Sequence, residues 1–180
     1  MEESKQIHEE KLEIDRYERT YMILAAAMLG VFFAALVAGA IIYGVHLPTA
    51  VGFVNPILID ETEFANPGLR DMGDNRYELY VVAHMWAYEI GTTDTTAAGF
   101  PVLHLPQGAV VTFNVTSRDV QHGFYIEHHN VNLQILPGHV ASQTVTFSEP
   151  GTYHVICHEY CGRGHQTMGM VLIVDRATGA

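Results

Sequence analysis

Residues 157–168 read Cys157-His-Glu-Tyr-Cys161-Gly-Arg-Gly-His165-Gln-Thr-Met168, and this loop holds both cysteines of the chain. A further histidine, His122, lies 35 residues upstream of the loop. Two thiolates, two imidazoles and a thioether are soft or borderline ligands, which suit copper better than magnesium or calcium. A blue-copper site needs only one cysteine, two histidines and a weak axial methionine. The second cysteine therefore indicates two copper ions that share two sulfur atoms.

Two other interpretations of the loop are open at this stage. Cysteine pairs outside the cytosol usually form disulfides, but a disulfide leaves His165 and Met168 unexplained. Zinc also binds sites made of two cysteines and two histidines, but structural zinc sites rarely include a methionine at a fixed offset. Copper is the interpretation that uses all five side chains.

Short strands flank the loop and recur through the second half of the chain. Alternating, β-branched or aromatic runs predict strands at 77–83, 110–116, 142–147, 152–156 and 170–174. Turn signals lie between these runs at Pro106-Gln-Gly108, Pro137-Gly138 and Pro150-Gly151. This spacing indicates a β-sandwich or barrel. Such a frame would bring Cys157 and His122 to one end of the domain from two different strands.

The loop, together with Asp119-Val-Gln-His122-Gly-Phe, resembles the CuA domain of subunit II of haem–copper oxygen reductases, the cytochrome c oxidase type. The resemblance runs from about Tyr77 to Val174. It implies a mainly β fold in which one N-terminal transmembrane helix precedes a cupredoxin-like Greek-key β-barrel. Most subunit II proteins have two transmembrane helices. The single predicted helix resembles the arrangement in the B-type enzymes.

The resemblance also implies a role for each ligand. Cys157 and Cys161 would bridge the two copper ions of a binuclear CuA centre. His122 and His165 would cap one copper each, and Met168 would be a weak ligand on one side.

Four further residues receive roles at this stage. By the resemblance, the backbone carbonyl of Glu159 would be the second weak ligand, and its carboxylate would help to bind magnesium at the interface with subunit I. Trp86 and Tyr88 belong to an aromatic stretch placed like the one where electrons enter subunit II proteins. Asp119 begins the turn into His122, and we interpret it as a residue that orients the site through hydrogen bonds.

The resemblance implies a complete reaction path. The domain would accept electrons from a soluble cytochrome c or a small copper protein and pass them to haem in subunit I, where oxygen is reduced to water. Two alternatives are a CuA subunit of a nitric oxide or nitrous oxide reductase and a membrane-tethered copper chaperone. A chaperone of the thioredoxin type needs helices after its cysteine pair, whereas a strand is predicted here.

Residues 20–45 contain no charged side chain. They would form about 39 Å of helix, enough to cross a hydrocarbon core of ~30 Å with some tilt. A cleaved signal peptide is the alternative, but its apolar stretch is usually about 7–15 residues long and follows a basic segment. Acidic residues outnumber basic ones in residues 1–19. We therefore predict a membrane anchor that is retained.

Basic residues predict the orientation of this anchor. Lys5, Lys11, Arg16 and Arg19 precede the helix, and no Lys or Arg follows it until Arg70. We predict a plasma-membrane protein of a prokaryote with a cytoplasmic N-terminus and the copper domain on the outer face. The predicted organisation is a cytoplasmic segment at 1–19, an anchor at 20–46, a linker rich in Pro, Asn and Gly at 47–75, and a CuA cupredoxin domain at 76–180.

Charge excludes one class of partner and suggests another. The 180-residue chain has a net charge of -11, which argues against nucleic acid as a ligand. From residue 47 onward there are 13 acidic residues, five arginines and no lysine. An acidic domain would attract a cationic donor. The alternative, equally open here, is that the acidity keeps the domain soluble in a salty habitat.

Overall fold

The computed structural model describes residues 15–43 and 49–176. The chain divides into two compact units between His46 and Leu47. The first unit contains one helix, and the second contains β-strands with short 3-10 helices.

The helix, α1, runs from Arg16 to Ile42. The Asp15 carboxylate caps it by accepting a hydrogen bond from the Tyr17 N–H at 2.8 Å. Its 27 residues correspond to about 40 Å, and its most apolar window has a mean hydropathy of 2.5. The helix is therefore long and apolar enough to cross a membrane. It begins before the predicted anchor of 20–46, and residues 1–14 and 44–46 of the predicted ranges lie outside the described residues.

Eleven strands make up the described part of the second unit. They are β1 (Thr49–Phe53), β2 (Gly68–Asp71), β3 (Arg76–His84), β4 (Ala87–Glu89), β5 (Val102–Pro106), β6 (Ala109–Ser117), β7 (His122–Ile126), β8 (Val131–Ile135), β9 (His139–Phe147), β10 (Gly151–Ile156) and β11 (Gly169–Asp175). The five strands predicted from the sequence correspond to β3, β6, β9, β10 and β11. The other six, each three to five residues long, were not predicted.

The strands form two sheets. The first has the order β1-β9-β6-β3-β2, with β4 also paired to β3, and the second has the order β5-β11-β10-β7-β8. Strands β3 and β6 are parallel, as are β5 and β11. The prediction of a mainly β domain that follows one apolar helix is confirmed.

The main core lies between these sheets and is centred on three aromatic rings. The Phe113 ring lies 5.5 Å from that of Phe124 and 6.2 Å from that of Phe147, measured between centroids. Every second residue of β6 from Ala109 to Val115 is buried in this core, as expected for a strand with one inward face.

The outer face of the first sheet has a cover of its own. Val54, Ile59 and Phe64 pack on residues of β3 and β9 in a second buried cluster. They belong to a segment that includes the 3-10 helices Pro56–Glu61 and Glu63–Ala65. This cover buries β3 on both faces, which explains its unbroken apolar run at 79–83.

The segment 47–75 therefore differs from the predicted linker. Strand β1 pairs with β9, and β2 pairs with β3. The prolines do exclude a long helix there, but they do not exclude short edge strands and 3-10 turns. The second compact unit begins at Leu47, not at residue 76.

The sheet register brings the two site segments together. Strands β7 and β10 are antiparallel, with Tyr125 opposite Ile156. The first residue of β7, His122, therefore lies at the end of the sheet where β10 ends and Cys157 begins the loop.

Candidate metal centre

The loop 157–168 is the connection between the paired strands β10 and β11. The Cys157 N–H donates to the Met168 carbonyl at 3.2 Å, which closes the base of the loop. A single 3-10 turn at His165–Thr167 directs the chain back toward β11. Both ends of the loop are thus fixed by strands.

Sulfur atoms lie at the centre of the loop. The Sγ atoms of Cys157 and Cys161 are 3.6 Å apart, much longer than the ~2.05 Å of a disulfide bond. Both cysteines are free and buried. The Sγ atom of Cys161 also lies 3.6 Å from His165 Nδ1 and 3.8 Å from Met168 Sδ. The four predicted side-chain ligands of the loop therefore lie around the Cys161 sulfur.

His122 completes this arrangement from β7. Its ligand atom, together with the sulfurs of Cys157 and Cys161, falls in a group whose members all lie within 4.8 Å of one another. The side chain is 0% exposed, and its Nδ1 is one of two buried polar side-chain atoms in residues 15–43 and 49–176 that have no hydrogen-bond partner. A buried nitrogen that lacks a hydrogen-bond partner and lies beside two thiols is expected of a histidine that binds a metal.

The residues therefore fit a soft metal ion. Five donor atoms from Cys, His and Met converge in a buried site, and oxygen ligands do not dominate it. Such a donor set favours copper. The sulfur separation disfavours the disulfide alternative.

The pKa values of the two thiols are shifted in opposite directions. Burial alone would raise the pKa of Cys157, but the neighbouring His122 ring, the Gly123 N–H and the Cys161 thiol lower it below the ordinary value. Burial raises the pKa of Cys161, and the neighbouring Cys157 raises it further. Cys157 is therefore the thiol that loses its proton first.

Asp119 fixes the orientation of His122. Its Oδ1 lies 2.8 Å from His122 Nε2, and its Oδ2 accepts from the Met85 N–H at 2.7 Å. Burial would raise the pKa of Asp119, but these hydrogen bonds and one from the Val120 N–H lower it. An ionised Asp119 keeps the proton on Nε2 and leaves Nδ1 free to bind a metal.

Trp86 covers the loop. Its indole N–H donates to the Cys161 carbonyl at 3.1 Å, and its ring occupies the space where side chains at Gly162 and Gly164 would otherwise lie. The indole is partly exposed. Trp86 therefore stabilises the loop. It also offers a surface contact that is hydrogen-bonded directly to Cys161, a predicted ligand.

Tyr88 does not share this exposed position. It is only 2% exposed, and its ring packs edge-on against Phe124 in the core. Its hydroxyl donates to the Gly123 carbonyl, and the Gly123 N–H lies 3.4 Å from Cys157 Sγ. Tyr88 therefore supports the site from inside, and it cannot touch a soluble donor as predicted.

The backbone carbonyl and the side-chain carboxylate of Glu159 make different contacts. Its carbonyl oxygen accepts a hydrogen bond from the Cys157 thiol at 3.2 Å. Its carboxylate accepts from the Gln121 amide at 2.9 Å and lies 3.8 Å from His158 Nε2. Within the described parts of the chain, no group of three convergent acidic, histidine or cysteine ligands includes this carboxylate. The magnesium prediction is not supported.

Sequence reasoning missed a second tie between β7 and the loop. The ring of His158 fills the space above Gly123 and lies near the ring of Tyr125, with centroids 6.4 Å apart. The Gln121–Glu159 hydrogen bond runs beside it. These contacts join residues 33–38 positions apart, and no spacing rule indicates them.

Comparisons with known proteins agree with this geometry. The family described as cytochrome c oxidase subunit II, periplasmic domain, matches residues 68–175. The chain is a member of that family.

Individual relatives extend the match into the anchor. A cytochrome c oxidase subunit 2 of Thermus thermophilus is 34% identical over 163 residues, which cover 88% of this chain and 91% of the relative. A second Thermus thermophilus protein with that description is 40% identical over 102 residues, covering 57% of this chain and 68% of the relative. A chain in the cryo-EM structure of a heme-copper terminal oxidase dimer superposes with a TM-score of 0.73 at 36% identity, covering 89% of this chain and all of that one.

This membership confirms several expectations. The chain is subunit II of a haem–copper oxidase and part of that enzyme, with a cupredoxin-like domain. Membership of the family implies that the metal is copper and that the chain associates with subunit I. The apolar helix and a domain of the periplasmic type indicate a membrane protein. The nitrogen-oxide reductase and chaperone alternatives are therefore set aside.

The packing of Trp86 on the loop predicts the effect of Gly164→Ala. A methyl group at 164 would overlap the indole ring, so Trp86 should move outward and lose its bond to the Cys161 carbonyl. We expect a loss of about 1–3 kcal/mol in unfolding free energy and a red shift in the fluorescence of the chain's single tryptophan. Gly52→Ala is the control, since its methyl group would meet no atom within 4 Å. An unshifted spectrum for Gly164→Ala would contradict this packing.

Proposed function

We propose that the domain holds a binuclear CuA centre of two copper ions and receives electrons from a soluble cytochrome c or a small copper protein. It would deliver them to haem in subunit I, where oxygen is reduced to water. The observation that carries the proposal is the convergence of His122, Cys157 and Cys161 within 4.8 Å. His165 and Met168 approach the same sulfur.

Each residue has a proposed role in holding the metal. Cys157 and Cys161 would bridge the copper ions, because two thiols side by side in a buried loop can each serve two metals. His122 and His165 would each offer Nδ1. Met168 Sδ and the Glu159 carbonyl would be the weak ligands.

Bound copper would supply one-electron redox chemistry. The protein contributes a fixed and largely dry frame. His122 belongs to a strand, and Cys157 and Met168 flank strand ends, so gaining or losing an electron should require little movement of the ligands. Burial of both cysteines and Met168 keeps water from the sulfur atoms. Such rigidity suits electron transfer better than substrate chemistry.

Trp86 is the residue that we propose for contact with the electron donor. It is partly exposed and bonded to the carbonyl of a bridging ligand. An apolar ring at the surface permits close approach without desolvating a charge. Asp119, bonded to the Met85 N–H, holds the turn that carries this ring.

The membrane arrangement is also a proposal in its finer detail. We propose a single pass through the plasma membrane of a prokaryote, with the N-terminus in the cytoplasm and the domain outside. The distribution of Lys and Arg supports it, since four lie at or before residue 19 and the next is Arg70.

Copper content and the EPR spectrum test the proposed function. The purified protein should bind two copper ions per chain, and the oxidised form should be purple, with hyperfine coupling to both nuclei from one shared electron. A four-line spectrum from a single copper would contradict the binuclear centre.

Two variants separate the ligand roles within this test. Cys161→Ser removes a bridge, so the spectrum should become mononuclear or vanish. Met168→Leu removes only a weak axial ligand, so both copper ions should stay bound while the reduction potential shifts. Loss of all copper from Met168→Leu with a native spectrum in Cys161→Ser would reverse these assignments.

The charge of the domain predicts the salt dependence of the reaction with its donor. With 13 acidic residues against five arginines, a basic cytochrome should associate faster at low salt. We expect its second-order rate to fall by about tenfold from ~0.01 M to ~0.15 M ionic strength, as the screening length shortens from ~30 Å to ~8 Å. A donor of near-zero net charge serves as the control. Equal salt dependence for both donors would mean that acidity serves solubility alone.

A further inference from the structure

The backbone of Gly123 lies just beyond the point where its neighbouring strand ends. The antiparallel register of β7 and β10 sets Tyr125 opposite Ile156, so the same register, if continued, would set position 158 opposite Gly123. Strand β10 ends at Ile156, however, and the chain turns away into the metal loop. The N–H and the carbonyl of a strand residue point to the same edge, and β10 ends too early to bond to either group of Gly123.

Two side chains occupy the place of the missing strand. The Gly123 N–H lies 3.4 Å from Cys157 Sγ, and the Gly123 carbonyl accepts a hydrogen bond from the Tyr88 hydroxyl. Tyr88 belongs to β4, which pairs in the first sheet, whereas Gly123 belongs to the second. A hydrogen bond between the sheets therefore holds the residue whose N–H faces the sulfur.

Gly123 depends on this hold because it is a glycine. The ring of His158 occupies the space that a Cβ at position 123 would need. Glycine has the least restricted backbone of all residues, so no side chain at position 123 limits the direction of its N–H. A hydrogen bond to its carbonyl restricts rotation about the Gly123 Cα and keeps the N–H directed at the sulfur.

The Tyr88 side chain is itself fixed in position. Its ring is 2% exposed and packs edge-on against Phe124, with centroids 5.4 Å apart. Its backbone pairs with Ala83 of β3. Burial raises the pKa of the Tyr88 hydroxyl above its ordinary value, and the neighbouring Cys157 sulfur raises it further. The hydroxyl therefore stays a hydrogen-bond donor at a fixed place.

Tyr88 also belongs to a short segment, 85–88, that contacts the site at three points. The Met85 N–H donates to the Asp119 carboxylate at 2.7 Å, and the Trp86 indole donates to the Cys161 carbonyl at 3.1 Å. The third contact is the hydroxyl of Tyr88. The first two hold a residue that orients a ligand and the backbone of a ligand, whereas the third holds a donor that faces a ligand sulfur.

A hydrogen bond to a thiolate sulfur affects the reduction potential of a metal that the sulfur binds. An N–H directed at the sulfur draws negative charge away from the metal, which favours the reduced state. Hydrogen bonds to cysteine sulfur are among the general determinants of potential in copper and iron–sulfur sites. The direction of the Gly123 N–H should therefore contribute to the potential of a copper centre that includes Cys157.

We propose that Tyr88 is a positioning residue that raises the reduction potential of the copper centre, because its hydroxyl holds the Gly123 N–H against the Cys157 sulfur. The proposal rests on the proposed function and assigns Tyr88 a role other than contact with the electron donor. Tyr88 does not bind copper and acts through Gly123. If it served packing alone, its ring would be sufficient and phenylalanine would replace it without effect on the potential.

Tyr88→Phe tests this role, since it keeps the ring and removes only the hydroxyl. In a redox titration of the full-length protein, followed through the EPR signal of its copper, the potential should fall by about 59 mV, which corresponds to a tenfold change in a one-electron equilibrium constant. Tyr153→Phe is the matched control, because its hydroxyl also donates to a backbone carbonyl, that of Glu149, at 2.8 Å. The potential of this control should equal that of the unmodified protein.

Several outcomes of this titration would overturn the proposal. They are an unchanged or raised potential in Tyr88→Phe, and an equal fall in both variants. Loss of copper or of the fold from Tyr88→Phe would also overturn it, because the hydroxyl would then be a requirement of the site and not a determinant of its potential.

Hydrogen exchange gives a second readout that needs no metal. In the metal-free protein with reduced cysteines, the amide of Gly123 should exchange roughly tenfold faster in Tyr88→Phe, because its carbonyl has lost the bond that restrains it. The amide of Leu172, a fully buried residue of β11, is the internal reference. If exchange at Gly123 rises no more than exchange at Leu172, the restraint does not run through Gly123 and the proposal is wrong.

Failure of this proposal is distinguishable from failure of the proposed function. Copper content and the EPR spectrum of the unmodified protein are recorded first. If the unmodified protein lacks the two-copper signal, the proposed function fails and this role for Tyr88 fails with it. A native two-copper signal in both proteins, with equal potentials, counts against the role of Tyr88 alone.

Discussion

The carboxylate of Asp119 joins two parts of the site that are distant in sequence. One oxygen bonds to the ring of His122, and the other accepts from the N–H of Met85, the residue before Trp86. Trp86 in turn donates to the carbonyl of Cys161. A connected set of contacts therefore runs from His122 to Cys161 around the outside of the candidate metal centre. The orientation of the histidine and the cover over the loop depend on the same ionised group.

The two-sheet frame explains why such a chain of contacts can stay fixed. The loop begins and ends on the paired strands β10 and β11, and His122 starts the neighbouring strand β7. Behind them, the three phenylalanines of the core and the hydroxyl of Tyr88 hold the two sheets together. The outer cover formed by Ile59 and Phe64 then buries the second face of β3. Rigid support on both sides of the sheet limits the movement available to the ligands.

The sequence was sufficient to predict the fold class, and the side chains that it singled out as soft donors lie close together, because sulfur and imidazole at short spacing have few other uses. Its limits have physical causes. The segment 47–75 has the composition of a linker, yet β1 and β2 form because β9 and β3 offer free edges to them. Tyr88 was misplaced because it is close to Trp86 in sequence, whereas the turn at Trp86 sends the following strand inward. The contact between His158 and Gly123 joins positions that no local pattern connects.

That last contact has a consequence for how the family can vary. The ring of His158 occupies the volume that any side chain at position 123 would need. An alanine at 123 is therefore compatible only with a smaller or differently turned residue at 158. Because the Gly123 N–H also faces the sulfur of Cys157, shifting the backbone to relieve the overlap would disturb a ligand. Substitutions at positions 123 and 158, which 34 residues separate in the chain, should therefore be coupled among members of the family.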